Sequence, residues 1–236
     1  MADYYYYNDN RGGFGNFMSN VPTVTKNLIV LNIIMFVATL VNENFMVGTF
    51  ALFYPTSPYF RIWQPLTHMF MHGGWAHIFF NMYSLFLFGS VVERMIGQRK
   101  FLIFYFVCGL GSMALHTGVQ WLEAQSYLAA MADGTASAAS SYATLKMIPT
   151  LGASGAIYGL LLAYAMMFPD SMMTLIFPPV TLSAKWMVII FAGIEFVTGM
   201  TGAIGGVAHF AHLGGMLFGY FMIRYWKRKG TLYDRK

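Results

Sequence analysis

Leu28-Ile29-Val30-Leu31-Asn32-Ile33-Ile34-Met35-Phe36-Val37-Ala38-Thr39-Leu40-Val41 carries no charged side chain and no glycine or proline. It sits inside an apolar run over about 24–42, the length a helix needs to cross a hydrocarbon layer roughly 30 Å thick. Five more runs of this kind follow at about 76–95, 101–121, 154–168, 185–201 and 205–226. No water reaches the backbone inside a bilayer, so each run is expected to be helical. The reading is an all-α polytopic membrane protein with six transmembrane helices.

The rest of the composition agrees. The chain has 236 residues, 57% hydrophobic and only 10% charged, with a mean hydropathy of +0.54, whereas a soluble domain carries about 25% charged residues. Residues 1–23 are polar and tyrosine-rich and lack the charged-then-apolar layout of a signal peptide, so a flexible cytoplasmic tail is expected there. The membrane domain is expected over 24–226, with a short basic cytoplasmic tail at 227–236. The single cysteine, Cys108, lies in the third run, leaving helix packing to hold the fold without an intrachain disulfide.

Charge sets the orientation. With both termini in the cytoplasm, only Arg61 and Lys146 of the 14 lysines and arginines fall outside, as the positive-inside rule requires. The net charge of +5 then reflects topology and attraction to anionic head groups, with no reason to invoke nucleic acid. The short chain and bare core suit a bacterial plasma (inner) membrane. Of the two long external connections, 43–75, with Phe53, Tyr54, Tyr59, Phe60 and Trp63, is expected to be structured and partly in the membrane. The other, 122–153, with its small-residue segment 136–141, is expected to be flexible.

Three runs carry polar groups that could do chemistry. The fourth opens with Leu151-Gly152-Ala153-Ser154-Gly155-Ala156-Ile157-Tyr158-Gly159, a serine among glycines at a helix N-terminus. Free backbone N–H groups and the helix dipole there can stabilise an oxyanion, and Gly155 removes a side chain that would obstruct substrate. Gly155 and Gly159 also form the small-xxx-small pair of ordinary membrane helix packing. The sixth carries His209 and His212 in Ala208-His209-Phe210-Ala211-His212-Leu213-Gly214-Gly215, where an intramembrane ionisable group suggests function. Its glycines let it approach the fourth run, with His212 roughly 10 Å below the outer end at ~1.5 Å per residue. In the second run His77 and Asn81 stand four residues apart on one face, two donors near the same outer end.

Taken together, these segments resemble the rhomboid family. Gly152-Ala153-Ser154-Gly155 matches its GxSG motif, Ala211-His212-Leu213-Gly214-Gly215 its AHxGG motif and His77-Ile78-Phe79-Phe80-Asn81 its HxxxN motif, in the family's order and over about 24–226. Thr67-His68-Met69-Phe70-Met71-His72-Gly73-Gly74-Trp75 leads into the last of these. The resemblance implies a rhomboid-like fold and an intramembrane serine endopeptidase with a Ser154–His212 dyad. It further implies Tyr158 stacked under His212, and an oxyanion hole from His77, Asn81 and the Ser154 N–H. The implied partners are the lipid bilayer and transmembrane protein substrates cut in or beside their membrane segments, with small residues before the cleaved bond. No cofactor is implied. The fifth run, with Trp186, Phe191 and Phe196, looks like the family's lateral gate, though an aromatic lipid-facing surface explains it equally well.

One departure is Trp63-Gln64, where many members carry Trp-Arg, so loop stability or lipid contact is expected to differ rather than chemistry. His209 is a rival base. Glu195 in the fifth run is placed toward the outer end, where it is expected to be solvated, and the resemblance gives it no role. His68, His72 and His77 lack the HExxH spacing of a zinc protease, so no metal is expected. His116 is read as a hydrogen-bonded structural histidine. A soluble hydrolase elbow is excluded because Ala156 stands where glycine is required and no strand precedes Ser154. A transporter would show internal repeats, and none is convincing. A non-catalytic relative holding membrane clients would tolerate loss of Ser154 and His212, and both are present.

Overall fold

The computed structural model describes residues 20–175, 178–202 and 208–233. The expected N-terminal tail therefore falls almost wholly outside the described residues. Eight helices named here carry the described fold: α1 (Thr23–Val41), α2 (Glu43–Phe50), α3 (Trp75–Ile96, with a π-helical turn at Leu85–Gly89), α4 (Gln98–Ala132), α5 (Ala138–Met147), α6 (Ser154–Met167), α7 (Ala184–Thr201) and α8 (His209–Arg228). Between α6 and α7 a small antiparallel hairpin pairs β1 (Met172–Thr174) with β2 (Thr181–Ser183), Met173 opposite Leu182.

Among the described residues four helices, α1, α3, α4 and α7, are long and apolar enough to cross a membrane. The other two apolar runs form helices that do not meet that measure. α6 has 14 residues, about 21 Å of helix at ~1.5 Å per residue, short of a hydrocarbon core of roughly 30 Å. α8 has 20 residues but carries His209, His212 and Arg224 as well as Lys227 and Arg228 at its end, which lower its apolar character.

α4 departs most from the sequence reading. Instead of ending near 121 it continues to Ala132, 35 residues in all, about 52 Å at ~1.5 Å per residue and well beyond one bilayer core. After a turn at Gly134 (φ +83°), α5 returns along it. The connection expected to be flexible is thus largely helical. Its alanine and leucine content favours helix once α4 has nucleated it, and Leu145 of α5 packs on Ala124 of α4 beneath Tyr54.

Two polar devices fix the ends of the bundle. Glu93, near the end of α3 and buried, accepts hydrogen bonds from Val24 N (3.0 Å), Thr25 N (2.7 Å) and Thr25 Oγ1 (2.7 Å), satisfying first-turn N–H groups of α1 that have no intrahelical partner. At the other end the loop after α2 is organised by Gln64, fully buried. Its Oε1 accepts from Phe53 N (3.3 Å), and its Nε2 donates to Tyr59 O (2.9 Å) and Thr49 O (3.4 Å). A neutral amide, both donor and acceptor, therefore knits the loop.

The core lies between α4, α6 and α8, where Phe101, Phe104, Tyr105, Cys108 and Leu160 are fully enclosed. Glycines let the backbones touch. A Cβ at Gly159 would lie 2.8 Å from Cys108 Cβ and 2.9 Å from Gly215 O, and one at Gly215 would collide with the Gly155 backbone. Cys108 is a packing residue in this seam.

Candidate functional site

The approach to Ser154 is built by strand-like bonds from a distant loop. Leu52 and Thr150 exchange both backbone hydrogen bonds at 2.8 Å, and Gly152 N donates to His68 O at 2.9 Å. Burial pushes the His68 imidazole, outside the spanning helices, down to about 4. The ring is neutral at pH 7, and its Nδ1 lies 3.0 Å from Gln64 O, to which only an N–H can donate. Gly152 has φ +132°, and a Cβ there would stand 2.9 Å from the His77 ring, so this position needs glycine for both conformation and space. The chain then enters α6 with Ser154 as its first residue and no side-chain cap, leaving first-turn N–H groups directed outward.

α8 begins at His209, so His212 occupies its first turn instead of lying about 10 Å down the helix. Residues 203–207, which the sequence reading assigned to the same run, lie outside the described residues. The two helix N-termini are side by side. His212 Nε2 stands 2.8 Å from Ser154 Oγ. The Tyr158 ring, one turn further along α6, stacks on the imidazole with centroids 4.2 Å apart and planes inclined by 5°.

Ser154 and His212 open onto a cavity of about 1160 Å³, lined also by His77, His116, Gln120 and Glu123. The cavity extends between the C-terminal end of α4 and α5, where Glu123, Ser140, Ser141 and Thr144 line it. His77 is in this cavity, with its Nδ1 accepting from Gly73 N at 3.4 Å. Asn81 is buried one turn further along α3 and does not line the cavity; its Nδ2 has no hydrogen-bond partner among the described residues. His116 has a partner, Thr150 Oγ1 at 2.9 Å, and so ties α4 to the segment before Ser154. Among the described residues no group of His, Cys, Asp and Glu is arranged to hold a metal ion.

Two readings from sequence need correction. Gly155 faces α4, where a Cβ would overlap the Ser112 side chain, so its smallness serves helix packing rather than substrate access. Glu195 is buried and meets the site. Its Oε1 accepts from Tyr158 Oη at 2.5 Å and lies 2.9 Å from His212 Nδ1, within ion-pair range though off the line of an ideal N–H···O bond. Its Oε2 is 2.6 Å from His209 Nδ1, which also lies 3.0 Å from Thr198 Oγ1. His209 thus faces the carboxylate and not Ser154. A clue was available in the sequence: a carboxylate inside an apolar run requires a partner, and His209 and His212 sit one turn apart on the next run.

The sequence matches the Rhomboid domain family over residues 59–229. The chain belongs to the rhomboid family. It is 31% identical over 173 residues to the mitochondrial presenilin-associated rhomboid-like protein of Mus musculus, covering 71% of this chain and 40% of that protein. It is 27% identical over 213 residues to the rhomboid protease GluP of Bacillus subtilis, covering 87% of this chain and 35% of the relative. Over 105 residues it is 31% identical to the putative rhomboid protease YdcA of the same bacterium, covering 44% and 41% respectively. This rhomboid chain spans well under half the length of these curated relatives. Membership and its apolar helices make it an integral membrane protein.

Proposed function

We propose that this protein is an intramembrane serine endopeptidase in which Ser154 is the nucleophile and His212 its general base. The observation that carries the reading is the 2.8 Å approach of Ser154 Oγ to His212 Nε2 beside a cavity, with the imidazole stacked on Tyr158. A serine hydroxyl is a weak nucleophile until a base within hydrogen-bond reach takes its proton. The names of the Bacillus subtilis relatives, a rhomboid protease and a putative rhomboid protease, point the same way.

In this reaction Ser154 Oγ attacks the carbonyl carbon of a peptide bond in or next to a substrate's transmembrane segment, while His212 Nε2 takes the hydroxyl proton. His212 then gives that proton to the leaving amine, and an acyl-enzyme remains. A water from the cavity, deprotonated by the same nitrogen, attacks the ester; collapse returns the proton to Ser154 and frees the new carboxyl end. The oxyanion is held by the Ser154 N–H at the start of α6, by His77 and by Asn81, whose Nδ2 is free of other described partners. No cofactor takes part.

The same proposal includes a six-span arrangement with both termini cytoplasmic, α6 and α8 completing the set begun by the four longer helices, in a bacterial plasma membrane. The shortness of α6 suits it: its N-terminus need not reach the surface where protein and a polar cavity surround it. Purified protein in liposomes with a fluorogenic transmembrane substrate tests the activity. Cleavage that disappears in Ser154→Ala supports the assignment, and undiminished cleavage refutes it.

A further inference from the structure

Stacking on Tyr158 fixes the plane of the His212 imidazole but not which way the ring is flipped about Cβ–Cγ. A ring flipped by half a turn would stack equally well and put Cε1 in place of Nε2 against Ser154. For Nε2 to accept the serine proton, the hydrogen of the neutral ring must sit on Nδ1, and something must hold it there. Among the described residues the acceptor in range of Nδ1 is Glu195 Oε1, at 2.9 Å.

We propose that Glu195 is the positioning residue for His212: its carboxylate on α7 holds the imidazole with Nδ1 toward α7 and Nε2 toward Ser154, completing a Ser–His–Glu arrangement from three helices. The proposal rests on the reading of Ser154 and His212 as nucleophile and base. Each oxygen has a distinct task. Oε1 takes the Tyr158 hydroxyl at 2.5 Å, which locks the stacked ring to the same atom that faces Nδ1. Oε2 is held by His209 at 2.6 Å, which keeps the carboxylate from rotating away. The off-line approach to Nδ1 is of the kind that tightens once substrate closes the site. A carboxylate accepts but does not donate, so it selects the required tautomer and favours the imidazolium formed during attack.

Of the four described helices long and apolar enough to cross a membrane, α7 also has the least internal cover. Trp186, Ile189, Ile190, Ile194, Phe196, Val197 and Met200 are exposed along it. The residue that orients the base therefore sits on the least covered of these long helices, and the arrangement is complete only when α7 is docked.

The test uses the full chain in liposomes and compares Glu195→Gln with the unaltered protein. The amide keeps the shape and removes the charge. The groups facing Glu195 are Tyr158 from α6, His209 and His212 from α8, and, on its own helix, Thr198 beside His209. Lys185 of α7 is engaged by Asp170. kcat is expected to fall about 10²- to 10⁴-fold, the upper bound being the loss seen when a triad carboxylate becomes an amide, with KM within about twofold. A kcat within about threefold of the original, or a loss carried by a raised KM with kcat kept, overturns the positioning role. Should Glu195→Gln fail to fold, Tyr158→Phe, which keeps the ring stack and removes only the hydroxyl on Oε1, is expected to lower kcat about tenfold; unchanged kcat there overturns the proposal. Ser154→Ala separates the two ideas: cleavage that survives it sinks the protease reading itself, whereas cleavage lost in Ser154→Ala but untouched in Glu195→Gln sinks only the role of Glu195.

Discussion

Along the seam between α6 and α8 the two backbones meet through glycine, whereas α7 meets the same two helices through an apolar patch, Ala184 and Val188 against Leu161, Ala165 and Met216, and through a junction of a carboxylate, a phenol and two imidazoles. Gly159 and Gly215 leave no room for a Cβ, and contact there is dispersion between closely packed atoms, with little room for adjustment. At the α7 junction Glu195, Tyr158, His209 and His212 are linked by polar contacts of 2.5 to 2.9 Å. The first kind of contact sets the distance between Ser154 and His212. The second sets the orientation of one ring. Position and orientation are thus supplied by different physics, and substitutions should separate them.

The largest effect belongs to the shared product of both regions. Ser154→Ala should reduce turnover of a membrane substrate by about 10⁴-fold or more, with melting temperature unchanged, because only the nucleophile is removed; measurable turnover with an intact fold would break the assignment. Next comes the seam. Gly215→Ala should cost about 3 kcal/mol or more, since its methyl runs into the Gly155 backbone and backbone cannot yield as a side chain can. Thermal unfolding in detergent checks it, and a wild-type melting point would show that the seam is looser than described.

A smaller loss is expected from Gln64→Ala. It leaves the Phe53 N–H and the Tyr59 carbonyl without a side-chain partner, whereas Thr49 O keeps the Trp63 indole N–H at 2.9 Å; the loss is worth about 2 kcal/mol of stability, while kcat of the folded fraction stays within about threefold. Unfolding midpoints and active-site titration read the two quantities separately, and a large kcat loss at unchanged stability would move Gln64 into the chemistry. The smallest effect is expected for His209→Ala, about tenfold in kcat, against the far larger loss of His212→Ala. His209 touches the carboxylate but not the serine, and the reverse ranking would exchange the two roles.

Much of the architecture could be read in one dimension because membrane spans are set by local apolar length. The runs at 24–42, 76–95, 154–168 and 185–201 coincide within a few residues with α1, α3, α6 and α7. The GxSG and AHxGG segments likewise meet in space. What the sequence concealed depends on neighbours. The extension of α4 to Ala132 is stabilised by α5 and Tyr54, which are distant in sequence or unassigned before the fold is known. Gly155 reads equally as access or packing until Ser112 is seen facing it. Position along the run alone places Glu195 toward the outer end, in solvent. Its burial follows from which way α7 is turned, and apolar length does not encode rotation about a helix axis.

The most direct test of the central claim is covalent. A fluorophosphonate reacts with a serine whose hydroxyl is activated by a neighbouring base, so treatment of the protein in liposomes followed by peptide mapping reports where that activation occurs. The account predicts a single modified residue, Ser154, and loss of the adduct in His212→Ala. An adduct on another serine, or one on Ser154 that forms equally well without His212, would contradict it.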